Sequence, residues 1–226
     1  GAIADVRNQL DQAKEHRSEV AEKLYLTSGR NAAAAIYSLI GNYVRCGEPE
    51  KSRALVEQLM KDAQVIGSPF FLQQMAALDA YANLVCGRRE AALLWALGNP
   101  HSKMNVSSDR IPFVRVRILL TEGSKACLLE ADQILQELTS FYANGRVWYR
   151  QTEILVLQAL VQNGLGEVDS ALTLLAEGVE LAVPKGGIGL FMGYSKALES
   201  LLSKLGRQTE FSQPVALLLT AIDMEN

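Results

Sequence analysis

The chain has 226 residues, of which 49% are hydrophobic and 21% are charged, and its net charge is −3 with an isoelectric point near 5.5. This composition is sufficient for a continuous hydrophobic core and excludes an intrinsically disordered chain. Because the chain is mildly acidic, we expect no direct nucleic acid contact by this segment.

The absence of targeting signals and the cysteine content predict a cytoplasmic protein. No apolar run reaches about 18 residues, the length expected of a membrane span, and no signal peptide pattern opens the chain, so we expect no membrane partner. Cys46, Cys86 and Cys127 cannot all pair, which favours a reducing compartment. Gly1 is interpreted as a tag remnant, and the apolar stretch before Asn226 indicates a fragment of a longer protein.

The N-terminal half has the periodicity of consecutive helices. Apolar residues at three-four spacing predict a helix from Ala4 to about Leu26, followed by a turn over 27–30 with Asn31 as the next N-cap. The helix that follows Asn31 is predicted to end at Gly47, and the next runs from Pro49 to Gly67. Ser68 and Pro69 precede a helix from Phe71 to Gly87, and another follows from Arg88 to about Leu97.

The second half begins with a predicted loop at 101–110, HSKMNVSSDR, which is long for a connection between packed helices. A helix is predicted from Ile111 to Gly123, and its partner is expected to start late, after SKACLL, and to end near Ala143. A further helix is predicted from Arg146 to Gly166, and the next runs from Gly166 to a Pro/Gly break near residue 184. A third continues after this break to residue 202, and a short helix covers residues 215–222.

Repeated glycines predict how these helices are organised. Gly47, Gly87, Gly123 and Gly166, each at the end of a first helix, lie 40, 36 and 43 residues apart. The segment around Gly166 has the residue pattern expected of a tetratricopeptide-type hairpin. Gly166 is the turn residue, Leu175 is the large residue, and the small residues are Ala159, Ala171 and Gly178. VRVRI at 114–118 is the only candidate strand. The pattern therefore predicts an all-α superhelix, a tetratricopeptide-like solenoid of about five helical hairpins, forming a single domain over residues 1–226.

Catalytic and cofactor motifs are absent from the sequence. GGIGLFMG at 186–193 lacks the third glycine or alanine of a dinucleotide fingerprint, because Met192 takes that place, and no phosphate-binding loop occurs. His16 and His101 lie far apart, and no cysteines are paired in a metal-binding motif. We therefore expect no metal, no cofactor in this segment and no enzyme activity.

Polar and aromatic residues on the predicted first helices are the candidate ligand-binding set. On a concave surface, aromatic faces stack on sugars or peptide side chains and guanidinium groups hold polar atoms. The alternative is that Tyr43 and Trp148 pack between repeats and the arginines are solvated. The set comprises Tyr43, Tyr81, Arg115, Arg117, Trp148, Tyr149 and Arg150.

Residues 113–202 contain four segments in a characteristic order: FVRVRILLTEG, ADQILQEL, EILVLQALVQNGLGEVDSALTLLAEGVELA and VPKGGIGLFMGYSKALESLL. In this order they resemble the C-terminal part of the helical sensor region of large ATP-dependent LuxR-type, MalT-like transcriptional regulators. The residues that match the signature of that family are Ala182, Pro184, Gly186, Phe191, Leu201 and Leu202. The family's aromatic residue, arginine and acidic pair are replaced by Gly187, Gly189, Gly193 and Tyr194.

The resemblance implies a function that residue chemistry alone does not. It implies an effector-sensing and self-association domain of a bacterial transcriptional activator, which binds a small-molecule inducer on its concave face. An ATPase module upstream and a helix-turn-helix domain downstream would complete such a regulator, and neither is present here. The alternative is a free-standing tetratricopeptide-like scaffold that binds a peptide or protein partner.

Overall fold

The structure, a computed structural model, describes residues 2–22, 29–100, 110–143 and 147–224. Every regular element in these ranges is a helix, which confirms the all-α prediction and places VRVRI within a helix. The chain divides into two compact units: an N-terminal unit, Leu10–Glu122, and a C-terminal unit, Ala2–Gln9 with Gly123–Asn226. A single domain over residues 1–226 stays a prediction.

The helices have the following bounds in chain order: α1 (Ala2–Val6), α2 (Leu10–Glu22), α3 (Gly29–Arg45), α4 (Pro49–Ile66), α5 (Pro69–Val85), α6 (Arg89–Gly98), α7 (Ile111–Glu122), α8 (Lys125–Tyr142), α9 (Trp148–Leu165), α10 (Val168–Ala182), α11 (Gly189–Met192), α12 (Ser195–Leu205) and α13 (Ser212–Asp223). Two short 3-10 turns, Val183–Lys185 and Thr209–Phe211, follow α10 and precede α13. Pro49 and Pro69 stand in the first turns of α4 and α5, as the sequence predicted.

Neighbouring helices of the N-terminal unit pack in a regular order. α3 contacts α2, α4 and α5, while α5 contacts α3, α4, α6 and α7. The chain therefore returns through α4 and α6, and the helices α3, α5 and α7 follow one another in contact. Small buried residues such as Ala32, Ala33 and Ala35 of α3 let helix backbones approach closely.

The glycines that end the first helices adopt left-handed backbone conformations. The φ angles of Gly47, Gly87, Gly123 and Gly166 are 71°, 78°, 77° and 89°. A residue with a Cβ atom is strained there, whereas glycine is not, so each helix can stop and the chain can reverse. The sequence prediction of turns at these four glycines is confirmed.

The C-terminal unit has its closest packing between α9 and α10. Ala159 of α9 and both Ala171 and Leu175 of α10 are fully buried, and Gly178 is buried against Leu155. These residues occupy the positions that the hairpin pattern predicted. The core of this unit continues from the hairpin into α12 and α13.

The glycine-rich segment 186–193 serves close packing. A Cβ atom added to Gly187 would lie 2.9 Å from Ala182 Cβ and 3.0 Å from a ring carbon of Trp148. A Cβ atom added to Gly189 would lie 1.9 Å from the carbonyl oxygen of Asp5, so the backbone of α1 occupies that space. Steric constraint thus accounts for glycine at both positions.

Three sequence predictions of helix limits were wrong. The helix expected from Ala4 to about Leu26 is divided into α1 and α2, because Asn8 has a φ of 61° and interrupts it. Asn31 is not an N-cap, since α3 already includes Gly29. The helix α8 does not start late: Ser124 caps it by accepting a hydrogen bond from Cys127 N at 3.4 Å, so SKACLL belongs to the cap and its first turns. Some predictions fall outside the described residues. These are the loop at 101–109, the position of Leu24, the turn residues 27–28 and the helix start at Arg146.

We predict that Gly166→Ala lowers the free energy of unfolding by about 1 kcal/mol, because alanine is strained at a φ of 89°. Urea denaturation measures the change. Gly98→Ala is the matched control: Gly98 lies in the last turn of α6 without a positive φ, and no described atom lies within 4 Å of an added Cβ. The control is expected to be neutral or stabilising by up to about 1 kcal/mol. Equal losses in both variants would contradict the role assigned to the left-handed turn.

Candidate functional site

A stacked tyrosine pair joins α3 to α5. The ring centroids of Tyr37 and Tyr81 are 4.7 Å apart with an interplanar angle of 19°. Both side chains are buried, with 5% and 3% of their surfaces exposed. The rings therefore act as packed surfaces between two helices, and ligands cannot stack on them directly.

Two guanidinium groups lie against this tyrosine pair. Arg117 of α7 donates a hydrogen bond from Nη1 to the hydroxyl oxygen of Tyr81 at 3.1 Å, and its Cζ lies 5.2 Å from the Tyr81 ring centroid. Arg110, directly before α7, places its Cζ 4.5 Å from the Tyr37 ring centroid. A guanidinium over an aromatic face is attracted by the negative charge of that face, and the attraction grows as water is removed. Tyr37, Tyr81, Arg110 and Arg117 are called the tyrosine-arginine cluster below.

Equivalent positions in successive helices explain how part of this cluster forms. Tyr81 and Arg117 each stand six residues before a turn glycine, Gly87 and Gly123. The residue at the same place in α3 is Gly41, and a Cβ atom there would lie 3.5 Å from the Tyr81 hydroxyl oxygen. Since helices of one repeat type align by their turns, side chains at one such position in neighbouring helices are brought together.

Arg115 has a different role from Arg117, although both are on α7. Its side chain is 3% exposed, and Nη1 donates hydrogen bonds to Ala96 O and, at 2.8 Å, to Asn99 O. These carbonyl groups end α6, where the helix leaves unpaired acceptors and a partial negative charge. Arg115 therefore caps α6 and is unavailable to a ligand.

Tyr43 and the three candidates of α9 occupy other surroundings. Tyr43 is half-buried, and Lys14 Nζ lies 6.0 Å from its ring centroid. In the C-terminal unit, the Trp148 and Tyr149 rings meet edge to face at 6.2 Å, and Lys185 Nζ lies 5.6 Å from the Trp148 centroid. The structure therefore brings Tyr81 and Arg117 together, and separately Trp148, Tyr149 and Arg150.

Arg150 forms an ion pair at the edge of the aromatic group of α9. Its Nη1 lies 3.0 Å from Glu153 Oε2, and the two side chains are 9% and 10% exposed. Its Cζ also lies 5.2 Å from the Tyr149 ring centroid. A buried ion pair with both partners in place holds the side chains in one arrangement, so Arg150 has a structural partner within its own helix.

Sequence reasoning missed Tyr37 and Arg110. Tyr37 lies one helical turn before Gly41, so aligning the first helices by their turn glycines would have placed it beside Tyr81. Arg110 follows a segment without regular periodicity, and no sequence signal places it over Tyr37. What the tyrosine-arginine cluster offers chemically is hydrogen-bond donation from fixed guanidinium groups next to a tyrosine hydroxyl.

The titratable groups of the described residues do not assemble a reactive site. No group of three or more histidine, cysteine or acidic side chains in these ranges could hold a metal ion. Cys46, Cys86 and Cys127 form no disulfide bond within the described ranges, and Cys86 Sγ donates to Pro49 O at 3.2 Å. Burial, and then the nearby carboxylate of Glu50, raises the pKa of the Cys86 thiol. A thiol of this kind is a poor nucleophile at neutral pH.

Asp79 of α5 is a partly buried acidic side chain of the N-terminal unit. Burial raises its pKa, while Arg53 and a hydrogen bond from Asn83 Nδ2, at 3.1 Å, partly oppose the change. The protonated form is therefore favoured by folding relative to the unfolded chain. An uncharged side chain of the same shape suits this position at neutral pH.

The comparisons with known proteins leave the family open. Neither a protein-family model nor a curated protein sequence matches the chain. Among the helices of the described ranges, none combines the length and the apolar character needed to cross a bilayer. The resemblance to LuxR-type regulators thus depends on the motifs of residues 113–202, and a function based on it is a proposal.

We predict energetic coupling between Tyr81 and Arg117. Tyr81→Phe should lower the free energy of unfolding by about 1 kcal/mol, because the hydroxyl that accepts from Arg117 is lost. The double variant Tyr81→Phe with Arg117→Met should lose less free energy of unfolding than the two single variants lose together. The difference should be at least about 0.5 kcal/mol. Chemical denaturation of the four proteins measures this.

The control for this cycle pairs Tyr81→Phe with Arg207→Met. Arg207 is exposed after α12 and belongs to the other unit. Its coupling to Tyr81 is expected to be close to zero. Additive losses for Tyr81 and Arg117 would show that their hydrogen bond has no energetic importance.

We predict that Asp79→Asn stabilises the protein at pH 7. Because the folded pKa of Asp79 is raised, the stability associated with its proton is present below the unfolded pKa, about 3.9, and is lost as pH rises through the folded pKa. The gain from the variant should reach up to about 1 kcal/mol at pH 7, since this half-exposed group is screened by solvent. It should disappear as pH falls toward 4.

Urea denaturation between pH 4 and pH 7.5 measures the difference between wild type and Asp79→Asn. Glu177→Gln, on the exposed face of α10, controls for the loss of one negative charge. A stability difference that grows as pH falls would show that burial does not govern Asp79.

Proposed function

We propose that this chain is the effector-sensing and self-association segment of a bacterial LuxR-type, MalT-like transcriptional activator. In this proposal the segment is a tetratricopeptide-like solenoid that binds a small-molecule inducer and has no catalytic role. The ATPase and DNA-binding functions belong to modules upstream and downstream of it. The natural protein acts in the cytoplasm.

Helix packing and turn chemistry support the solenoid. In the N-terminal unit, α3, α5 and α7 are in successive contact, with α4 and α6 as the returning helices. First helices end at glycines with positive φ, at the spacing expected of helical hairpins. Small residues bury the contact of α9 with α10, as tetratricopeptide hairpins require.

The observation that carries the sensing function is the tyrosine-arginine cluster. Three successive first helices, or the residue directly before one of them, contribute Tyr37, Tyr81, Arg110 and Arg117 to one group. Arg117 is half-buried, and its Nη1 is positioned by the Tyr81 hydroxyl. A ligand oxygen bound by Arg117 would act on a side chain that connects α7 with α5 and α3.

This arrangement suits a small polar ligand. Guanidinium groups donate several hydrogen bonds in fixed directions, and they bind hydroxyl, carboxylate and phosphate oxygens. Ligand binding at a side chain shared by three helices favours one arrangement of those helices over others. Such a shift is what an inducer must cause in a sensor.

Exposed leucines favour the alternative, a scaffold that binds a peptide or protein partner. Leu94 and Leu97 of α6 are 70% and 68% exposed and lie three residues apart on one helix face. Exposed apolar side chains in such a row are typical of a protein contact. In the preferred proposal, the same face serves self-association.

We predict that a small polar metabolite raises the melting temperature of the protein. A panel of oligosaccharides, sugar phosphates and carboxylic acids would be tested by thermal melts at millimolar concentration. A ligand at 100 times its dissociation constant contributes about 2.7 kcal/mol, which corresponds to several degrees for a chain of this size. Arg117→Lys should lose most of the shift, because lysine lacks the planar set of donors.

Arg207→Lys is the control, and it should retain the full shift. A panel without any effective compound would contradict the sensing function, as would a hit that Arg117→Lys leaves unchanged. The mass of the natural polypeptide, measured with an antibody against this segment, separates the two candidates. A chain no longer than this one would exclude the regulator and leave the scaffold.

A further inference from the structure

The C-terminal unit contains a cleft that the proposed function does not use. It has a volume of about 450 Å³ and lies between the end of α10, the 3-10 turns that follow α10 and precede α13, and the first turns of α13. Small-molecule sites are usually clefts of about 300–1,000 Å³ with mainly apolar walls. The size of this cleft is therefore suitable for a small ligand.

The walls of the cleft are apolar and firmly held. Val179 and Phe211 are buried, at 1% and 6% exposure, and belong to the core of the unit. Val183 and Pro184 form one side, and Leu217, which is 47% exposed, lies on α13. The turn at 209–211 is fixed by hydrogen bonds from Ser212 Oγ to Thr209 O at 2.9 Å and from Phe211 N to Gln208 O at 3.0 Å. The cleft is thus largely formed before any ligand binds.

The backbone of the walls offers few hydrogen-bond donors, and the side-chain amide of Gln213 is a further polar group of the lining. Pro184 and Pro214 have no N–H group, and the N–H groups of Val183 and Phe211 donate to Val179 O and Gln208 O. An anion requires converging donors, and the N–H groups of Val183 and Phe211 are already engaged. These two backbone donors are therefore not available to an anionic ligand.

Two carboxylates give the cleft a negative charge. Glu180 of α10 and Glu210 of the second 3-10 turn are exposed and line it from different elements. Neither forms an ion pair with another described residue. The neighbouring lysine, Lys185, donates its Nζ to Leu181 O at 2.6 Å and lies against the Trp148 ring. An opposite charge supplied by a ligand would complement the two carboxylates.

We propose that this cleft binds an organic cation, an ammonium group carried on an apolar body of about the size of a phenylalkyl chain. The apolar body fills the space between Val183, Phe211 and Leu217, and the ammonium group lies between Glu180 and Glu210. Burial of the apolar part provides most of the affinity, and the carboxylates select the charge. This site is independent of the effector site proposed for α3, α5 and α7.

Three probes of the same shape and different charge test the proposal: phenylbutylamine, phenylbutanol and phenylbutanoate. Isothermal titration of the full chain should show the amine binding about tenfold more tightly than the alcohol, and the carboxylate most weakly. Raising the salt concentration should weaken binding of the amine and leave binding of the alcohol almost unchanged, because salt screens exposed charges. Equal binding of amine and alcohol would overturn the proposal, and so would absence of binding by all three probes.

Variants assign the effect to the cleft. The double variant Glu180→Gln with Glu210→Gln should bind amine and alcohol equally, whereas Glu177→Gln, which removes one exposed carboxylate of α10 outside the cleft, should keep the preference. Leu217→Asn should weaken the amine and the alcohol to a similar extent. A charge preference that survives in the double variant would overturn the assignment.

Sedimentation of the same variants tests for a different occupant. If a second copy of the chain filled the cleft, the wild type would dimerise and Leu217→Asn would be a monomer, which would overturn binding of a small cation. The expected result is that Leu217→Asn and the wild type have the same oligomeric state. The effector panel tests Arg117 in the other unit, so failure of one site is distinguishable from failure of the other.

Discussion

Chain reversal at residues without a Cβ atom is the constraint on which the arrangement of helices depends. Gly47, Gly87 and Gly123 all adopt a conformation that an L side chain resists, and each lies directly behind a first helix. Because the helices stop at equivalent points, the helices that follow start at equivalent points as well. Side chains at a given distance from these turns are then neighbours in space, which is how Tyr81 and Arg117 meet. A change in the length of one hairpin would separate them.

The interior of the protein accommodates arginine in more than one way. Arg115 lies over the carbonyl end of α6, where the helix supplies a partial negative charge. Arg150 has a carboxylate on its own helix, and Arg110 lies over a tyrosine face. These environments differ in what they leave available. A guanidinium enclosed by carbonyl groups is committed to structure, whereas Arg117 lies against an aromatic surface and is half-buried.

Sequence reasoning succeeded where one residue has one physical consequence. Backbone and packing rules predict glycines that end helices, prolines in first turns and small residues such as Ala159 and Ala171, and the structure agrees.

Sequence reasoning failed where two elements meet. The charge pattern of the first 22 residues continues across Asn8 without a sign of the break. Arg115 and Arg117 look alike in the sequence, and their different roles arise from the helices that α7 contacts. The cleft beside Glu180 depends on residues some 30 positions further along the chain, at α13, and no periodicity indicates it.

The contact of Asp5 with Gly189 affects the order in which the protein can be made. Residues 2–9 belong to the C-terminal unit, yet more than a hundred residues of the N-terminal unit are translated before the rest of the C-terminal unit emerges from the ribosome. The N-terminal unit can therefore fold during synthesis, while α1 waits for α11. Joining segments so distant in sequence requires closure of a long loop and is slow compared with formation of a local hairpin. The C-terminal unit is consequently completed after the N-terminal unit, although its segment 2–9 is made earlier.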